Sequence, residues 1–151
     1  MGLEAVPRSG PVVLIANHDS PLDALVIAVV GRLLDRLGQL PIERGTGDSA
    51  GLDAVVETLR AGECICVFPE GTLSRGTRQR IRSGAARLLS AVPDAALVCC
   101  AVIGSGAVSR SRFRGRAGVV FFKATQTEGS TASEIVVEAM DVIRTVAPRA
   151  S

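Results

Sequence analysis

Apolar positions along the chain change period several times. "PVVLIA" (11–16) is a continuous apolar run behind a Ser-Gly turn, the pattern of a buried strand. Leu22, Leu25, Val29, Leu33 and Leu37 then recur at helical spacing, and Gly38 supplies a stop. "QLPIE" (39–43) predicts a short second strand, kept to a sheet edge by Pro41. Leu52, Val55, Val56 and Leu59 mark a second helix that closes near Gly62. "CICVF" (64–68) predicts a third strand and "SGAARLLSAV" (83–92) a third helix. Two further strands are expected at "ALVCCAVI" (96–103) and "GVVFFKA" (118–124), and Val136, Ala139, Met140 and Ile143 give a last helix. Strands alternating with helices predict an α/β fold: a single domain over residues 1–151, with a largely parallel central sheet flanked by helices.

Composition narrows the class. Apolar residues make up 47% of the 151 positions and charged residues 21%, which is globular and not disordered. No apolar run approaches the roughly 18 to 20 residues that span a bilayer, and "MGLEAVPRSG" carries no signal-peptide pattern. The expectation is a cytoplasmic protein, or one peripheral to the inner face of a membrane. Cys64, Cys66, Cys99 and Cys100 form no Cys-x-x-Cys, and the one histidine lies far from them in sequence. They read as reduced, buried small hydrophobes, with no metal site expected.

The net charge of +2 hides an asymmetry. Residues 1–71 hold five Arg against ten acids, whereas residues 72–151 hold eleven Arg and one Lys against five acids. Nine of the arginines fall between Arg75 and Arg116, with Asp94 the only acid among them. Such a region suits an anionic partner such as phosphate, a nucleotide-bearing cosubstrate or an acidic membrane surface; a solvated basic surface explains it equally well.

Two polar stretches follow strand ends, where open α/β sheets form their ligand sites. The first is "IANHDSPLDALVI" (15–27). Ser20, Pro21 and Asp23 fit an N-cap, a first helical position and a capping-box acid, which alone could account for all three. His18, in a polar loop, is not placed like a core histidine. A carboxylate one turn away can hold its imidazole in one tautomer while its other oxygen caps the helix, so both readings of Asp23 stand. The second stretch, "VFPEGTLSRG" (67–76), breaks a strand at Pro69 and turns at Gly71. Glu70, Thr72, Ser74 and Arg75 around a glycine turn have a phosphate-binding composition, though an ordinary strand-to-helix loop would read similarly.

Together these stretches resemble the glycerolipid acyltransferase family, the lysophospholipid acyltransferases that form phosphatidic acid. The shared pattern is Asn-His-x-x-x-x-Asp at Asn17, His18 and Asp23, and Phe-Pro-Glu-Gly-Thr-x-Ser-Arg at Phe68, Pro69, Glu70, Gly71, Thr72, Ser74 and Arg75. Between them "PIER" supplies Ile42, Glu43 and Arg44. The resemblance runs from about residue 10 to about residue 125. It implies a glycerol-3-phosphate acyltransferase-like fold and transfer of a fatty acyl group from acyl-CoA or acyl-ACP to a lysophospholipid or glycerol phosphate hydroxyl.

In that chemistry His18 is the general base and Asp23 orients it. Asn17, Arg44, Glu70, Gly71, Thr72, Ser74 and Arg75 would line the substrate site, with Arg44 on the acceptor phosphate. N–H groups near Pro21 to Asp23 are candidate oxyanion donors. No cofactor or metal is implied beyond the thioester cosubstrate, and peripheral membrane contact is expected.

Asp23 and Arg44 stand only 21 positions apart, a shorter spacing than the family usually shows. That gives footing to a second reading, a relative that binds lipid or a protein partner without catalysis. Nucleic-acid binding is the third reading, and it is disfavoured because four Phe, with no Trp or Tyr, leave few stacking platforms.

Overall fold

The computed structural model describes residues 2–32, 49–73, 78–106, 116–125 and 128–147. After a short turn of 3-10 helix at Leu3–Ala5, the elements are β1 (Val12–Ala16), α1 (Leu22–Arg32), α2 (Ser49–Arg60), β2 (Cys64–Val67), α3 (Gly84–Ala91), β3 (Ala96–Ile103), β4 (Gly118–Lys123) and α4 (Ala132–Val146). The expected edge strand at 39–43 lies outside the described residues. No helix among the described residues is long and apolar enough to cross a membrane.

The four strands form one sheet in the order β2-β1-β3-β4. β1 pairs in parallel with both neighbours, Leu14 lying opposite Cys66 on one side and Val98 on the other. Its five residues are all buried, as a central strand covered on both faces requires. β4 departs from the parallel pattern and pairs antiparallel with β3, Cys100 opposite Phe121. Fourteen residues separate β3 from β4, and the antiparallel pairing means that β4 enters the sheet at the end where β3 leaves it, Ile103 opposite Gly118.

The period of two along each strand sorts the core into two layers. Val13, Ile15, Ile65, Leu97 and Cys99 face one side with Val55, Val56 and Leu59 of α2, Leu88 of α3, and Val136, Met140 and Ile143 of α4. Val12, Leu14, Cys64, Val98, Cys100 and Phe121 face the other side, with Ile27 of α1. The adjacent thiols Cys99 and Cys100 therefore enter opposite layers, while Cys64 and Cys66 share one. All four are free thiols. Burial pushes the Cys99 thiol up to about 12. Cys100 is pushed equally far, by burial first and then by the nearby Asp23 charge.

The predicted stop at Gly62 takes a definite form. Gly62 has φ +89°, its N–H donates to the Leu59 carbonyl, and the Glu63 N–H donates to the Thr58 carbonyl. This is a Schellman closure, which a residue without Cβ accepts at no steric cost. It delivers the chain directly into β2, whose C-terminal end lies beside that of β1.

Candidate active site

The site grows from the carboxyl ends of β1 and β2. Asn17, the first residue past β1, is buried, and its amide is held by the neighbouring strand. Its Nδ2 donates to the Val102 carbonyl at 2.9 Å, and its Oδ1 accepts from the Val102 N–H at 2.8 Å. Nδ2 also donates to Asp19 at 3.0 Å. The side chain thus fastens the exit of β1 to β3 and sets where the next residue points.

That next residue is His18, only 8% exposed. Its Nδ1 lies 3.3 Å from Asp23 Oδ2, and the ring stacks on Phe68, with centroids 4.3 Å apart and planes inclined by 28°. Phe68 immediately follows β2. The two motif stretches therefore meet ring against ring, one held by a carboxylate and the other by an aromatic face. Among the described residues Nε2 has no hydrogen-bond partner, which leaves that nitrogen for chemistry.

Asp23 is fully buried. Sequence reasoning assigns one carboxylate oxygen to the histidine and the other to the helix start; the structure gives both tasks to Oδ2. It accepts the Asp19 N–H at 2.6 Å and the Ser20 N–H at 2.8 Å as well as facing His18. Oδ1 is buried without a partner among the described residues. The capping box is also modified. Ser20 Oγ accepts from the Leu22 N–H at 3.1 Å, while the Asp23 N–H donates to the Ser20 carbonyl. This corrects the expected oxyanion donors: Pro21 has no N–H, and those of Leu22 and Asp23 are already engaged in starting α1.

The Pro-Glu-Gly-Thr turn follows Phe68. The Gly71 N–H donates to the Phe68 carbonyl at 2.9 Å, and Gly71 has φ +64°. Glu70 is 2% exposed and is held from α4, where Arg144 Nε and Nη2 reach its Oε1 at 3.1 and 2.6 Å. The same guanidinium donates to the Gln79 carbonyl at 3.0 Å and to Asp141 at 3.0 Å. Asp141 also accepts from Arg78. One arginine thus ties together the turn, the 78–82 segment and the last helix.

Thr72 is exposed. With Glu70 it lines a cleft of about 670 Å³, whose other walls come from residues 79–83, Ala86, Ser133, Val136 and Val137. A slightly larger cleft of about 700 Å³, between α2 and α3, touches neither motif.

The described residues bring His18, Asp23 and Phe68 together and hold Asn17 against Val102. Arg44, Ser74 and Arg75 lie outside the described residues. Of the nine arginines between Arg75 and Arg116, five are described, Arg78, Arg80, Arg82, Arg87 and Arg116, and all are exposed. Sequence reasoning misses Arg144, which has no local signal: it pairs with Glu70 from 74 positions away. It quotes Phe68 within a motif without foreseeing the ring stack.

A histidine held by a buried carboxylate at the carboxyl edge of a parallel sheet is an arrangement for moving a proton during group transfer. The profile of the Acyltransferase family matches residues 26–103, more than half of the chain, and the protein belongs to that family. Three curated relatives are uncharacterized proteins: two from strains of Mycobacterium tuberculosis, CDC 1551 and H37Rv, and one from Mycobacterium bovis. Each is 31% identical over a match covering 69% of this chain and 36% of its own length. The chain thus spans about a third of the length of the curated relatives it matches. In fold it is similar to the crystal structure of PlsC, the 1-acyl-sn-glycerophosphate (LPA) acyltransferase of Thermotoga maritima. The TM-score is 0.65 at 16% identity, covering 99% of this chain and 72% of that one. The family and fold expected from the motifs are borne out.

Proposed function

We propose that the protein transfers a fatty acyl group from an acyl thioester, acyl-CoA or acyl-ACP, to a hydroxyl of a lysophospholipid or glycerol phosphate. The observation that carries this reading is the ring of His18, with Nδ1 on Asp23 and its face on Phe68. Nδ1–H donates to the carboxylate, which selects the tautomer with a lone pair on Nε2. Nε2 removes the hydroxyl proton as the oxygen attacks the thioester carbonyl. The C–O bond forms, the C–S bond breaks, and the imidazolium returns its proton to the departing thiolate. Asp23 stabilises that cation, so no covalent enzyme intermediate is needed. The glycerolipid acceptor is inferred from the motif resemblance and from the named substrate of the enzyme with the similar fold.

The test is thiol release from a long-chain acyl-CoA by purified protein, offered a panel of lysophospholipids and glycerol 3-phosphate. His18→Ala is expected to cut turnover by at least ~100-fold while the protein stays folded. Near-normal turnover in the variant overturns the reading, as does a wild type that transfers to no acceptor.

A further inference from the structure

The cleft beside the Pro-Glu-Gly-Thr turn is basic in a way the motifs do not announce. The Arg82 N–H donates to the Pro69 carbonyl at 2.8 Å, which pins the residue to the turn. Its side chain then runs over Gly71. A Cβ on Gly71 would stand 2.6 Å from both Cδ and Nε of Arg82, closer than real Cβ contacts allow. The glycine thus serves two ends, a left-handed turn at φ +64° and room for the arginine.

Arg80 and Arg82 both line the cleft and are exposed. Among the described residues neither has an acidic partner within ion-pair distance. The nearby Glu70 carboxylate faces the Arg144 guanidinium, so it does not offset them. Thr72 and Ser83 also line the cleft, as do the apolar Val136 and Val137.

Resting on the acyl-transfer reading, we propose that Arg82, assisted by Arg80, holds the phosphate of the anionic acceptor in this cleft, and that Gly71 is a glycine to admit it. Two guanidiniums without carboxylate partners can take phosphate oxygens with planar, paired N–H donors. The hydroxyls supply further donors, and the valines face the aliphatic part of a phosphomonoester. This assigns acceptor selection to a residue outside the motif that carries Glu70.

The test has two arms. Calorimetric titration of glycerol 3-phosphate into the protein reads the site without turnover. Arg82→Gln is expected to weaken that binding by about 10-fold or more, as loss of a charge-assisted contact does. Arg82→Lys should recover part of it, because it restores charge without the fork. The exposed Arg87→Gln outside the cleft should bind as wild type does. In the kinetic arm, Arg82→Gln should raise KM for a phosphorylated acceptor while KM for the acyl donor and kcat stay within about twofold. Unchanged binding in Arg82→Gln overturns the proposal, as does equal loss for donor and acceptor. Should the wild type transfer no acyl group, the acyl-transfer reading fails, and the calorimetric arm still decides the phosphate site.

Discussion

Arg144 reaches Glu70 with two nitrogens on a single carboxylate oxygen, and the carboxylate it meets is almost wholly out of water. Removing Arg144 takes both of these donors from a buried carboxylate, and breaking a buried pair of this kind costs about 3 to 5 kcal/mol. Arg144→Gln should therefore lower the urea midpoint strongly. The double variant Glu70→Gln with Arg144→Gln should be more stable than Arg144→Gln alone, because the buried charge is gone. Equilibrium unfolding of the four proteins in the cycle measures this coupling; additive losses would show that solvent, not Arg144, satisfies Glu70.

Asp23→Asn probes the doubly used oxygen. The amide oxygen can still accept the Asp19 and Ser20 N–H groups, but an NH₂ replaces an atom that is buried without a partner. We expect a stability loss of about 1 to 3 kcal/mol, above the loss for a simple cap that keeps an acceptor. Turnover per folded molecule should fall as well, since a neutral amide stabilises an imidazolium poorly. A variant that melts lower but turns over normally would reduce Asp23 to a helix cap.

Two glycines separate backbone strain from crowding. Gly10 and Gly104 have φ +83° and +79°. A Cβ on Gly10 meets nothing within 4 Å, whereas one on Gly104 would stand 2.3 Å from the Arg116 carbonyl oxygen. Gly10→Ala should cost only the left-handed penalty of about 1 to 2 kcal/mol. Gly104→Ala should cost roughly 1 to 3 kcal/mol more, since backbone must move. Equal losses in chemical denaturation would mean that the β3 exit yields freely.

Alkaline pH offers a test of the two-sided core. Cys99 and Cys100 are raised from about 9 to about 12 in the fold, so the unfolded chain loses these protons first. Their contribution is whole below pH 9 and declines as pH climbs towards 12. Each thiol gives a slope of up to about 1.4 kcal/mol per pH unit in that window. The chain has no tyrosine and one lysine, Lys123, so thiols dominate this window, and Cys66, which burial raises well above its ordinary value, adds to the same decline. Stability measured by urea at pH 8, 9.5 and 10.5 should fall steadily, and Cys99→Ala should flatten the decline. A pH-independent midpoint would contradict the burial of these thiols.

Much of this architecture is legible in hydrophobic period. β3 occupies its predicted residues because eight apolar positions between turns admit little else, and Gly62 announces its own closure. Direction is less legible: nothing in "GVVFFKA" distinguishes an antiparallel strand, and a fourteen-residue connection admits either direction. At the site, motif spacing finds His18 and Asp23. Which carboxylate oxygen works, and which N–H groups the helix start consumes, depend on local angles that spacing does not encode. Arg144 is invisible for a different reason, since its partner is brought near only when α4 docks on the sheet.

The parallel pairing of β1 with β2 has a consequence for the chain that joins them. It leaves β1 at Ala16 and re-enters the sheet at Cys64, beside Val12 at the opposite end of β1. The meeting of His18 with Phe68 depends on the two strand ends, not on the length of chain between them. Closing a longer or shorter excursion changes the free energy by only about 0.6 kcal/mol per doubling of length. The short spacing from Asp23 to Arg44 can therefore be absorbed without moving the histidine. A change in the length of this segment should thus leave the stack of His18 on Phe68 in place, so the two strand ends and not the chain between them set where the imidazole stands.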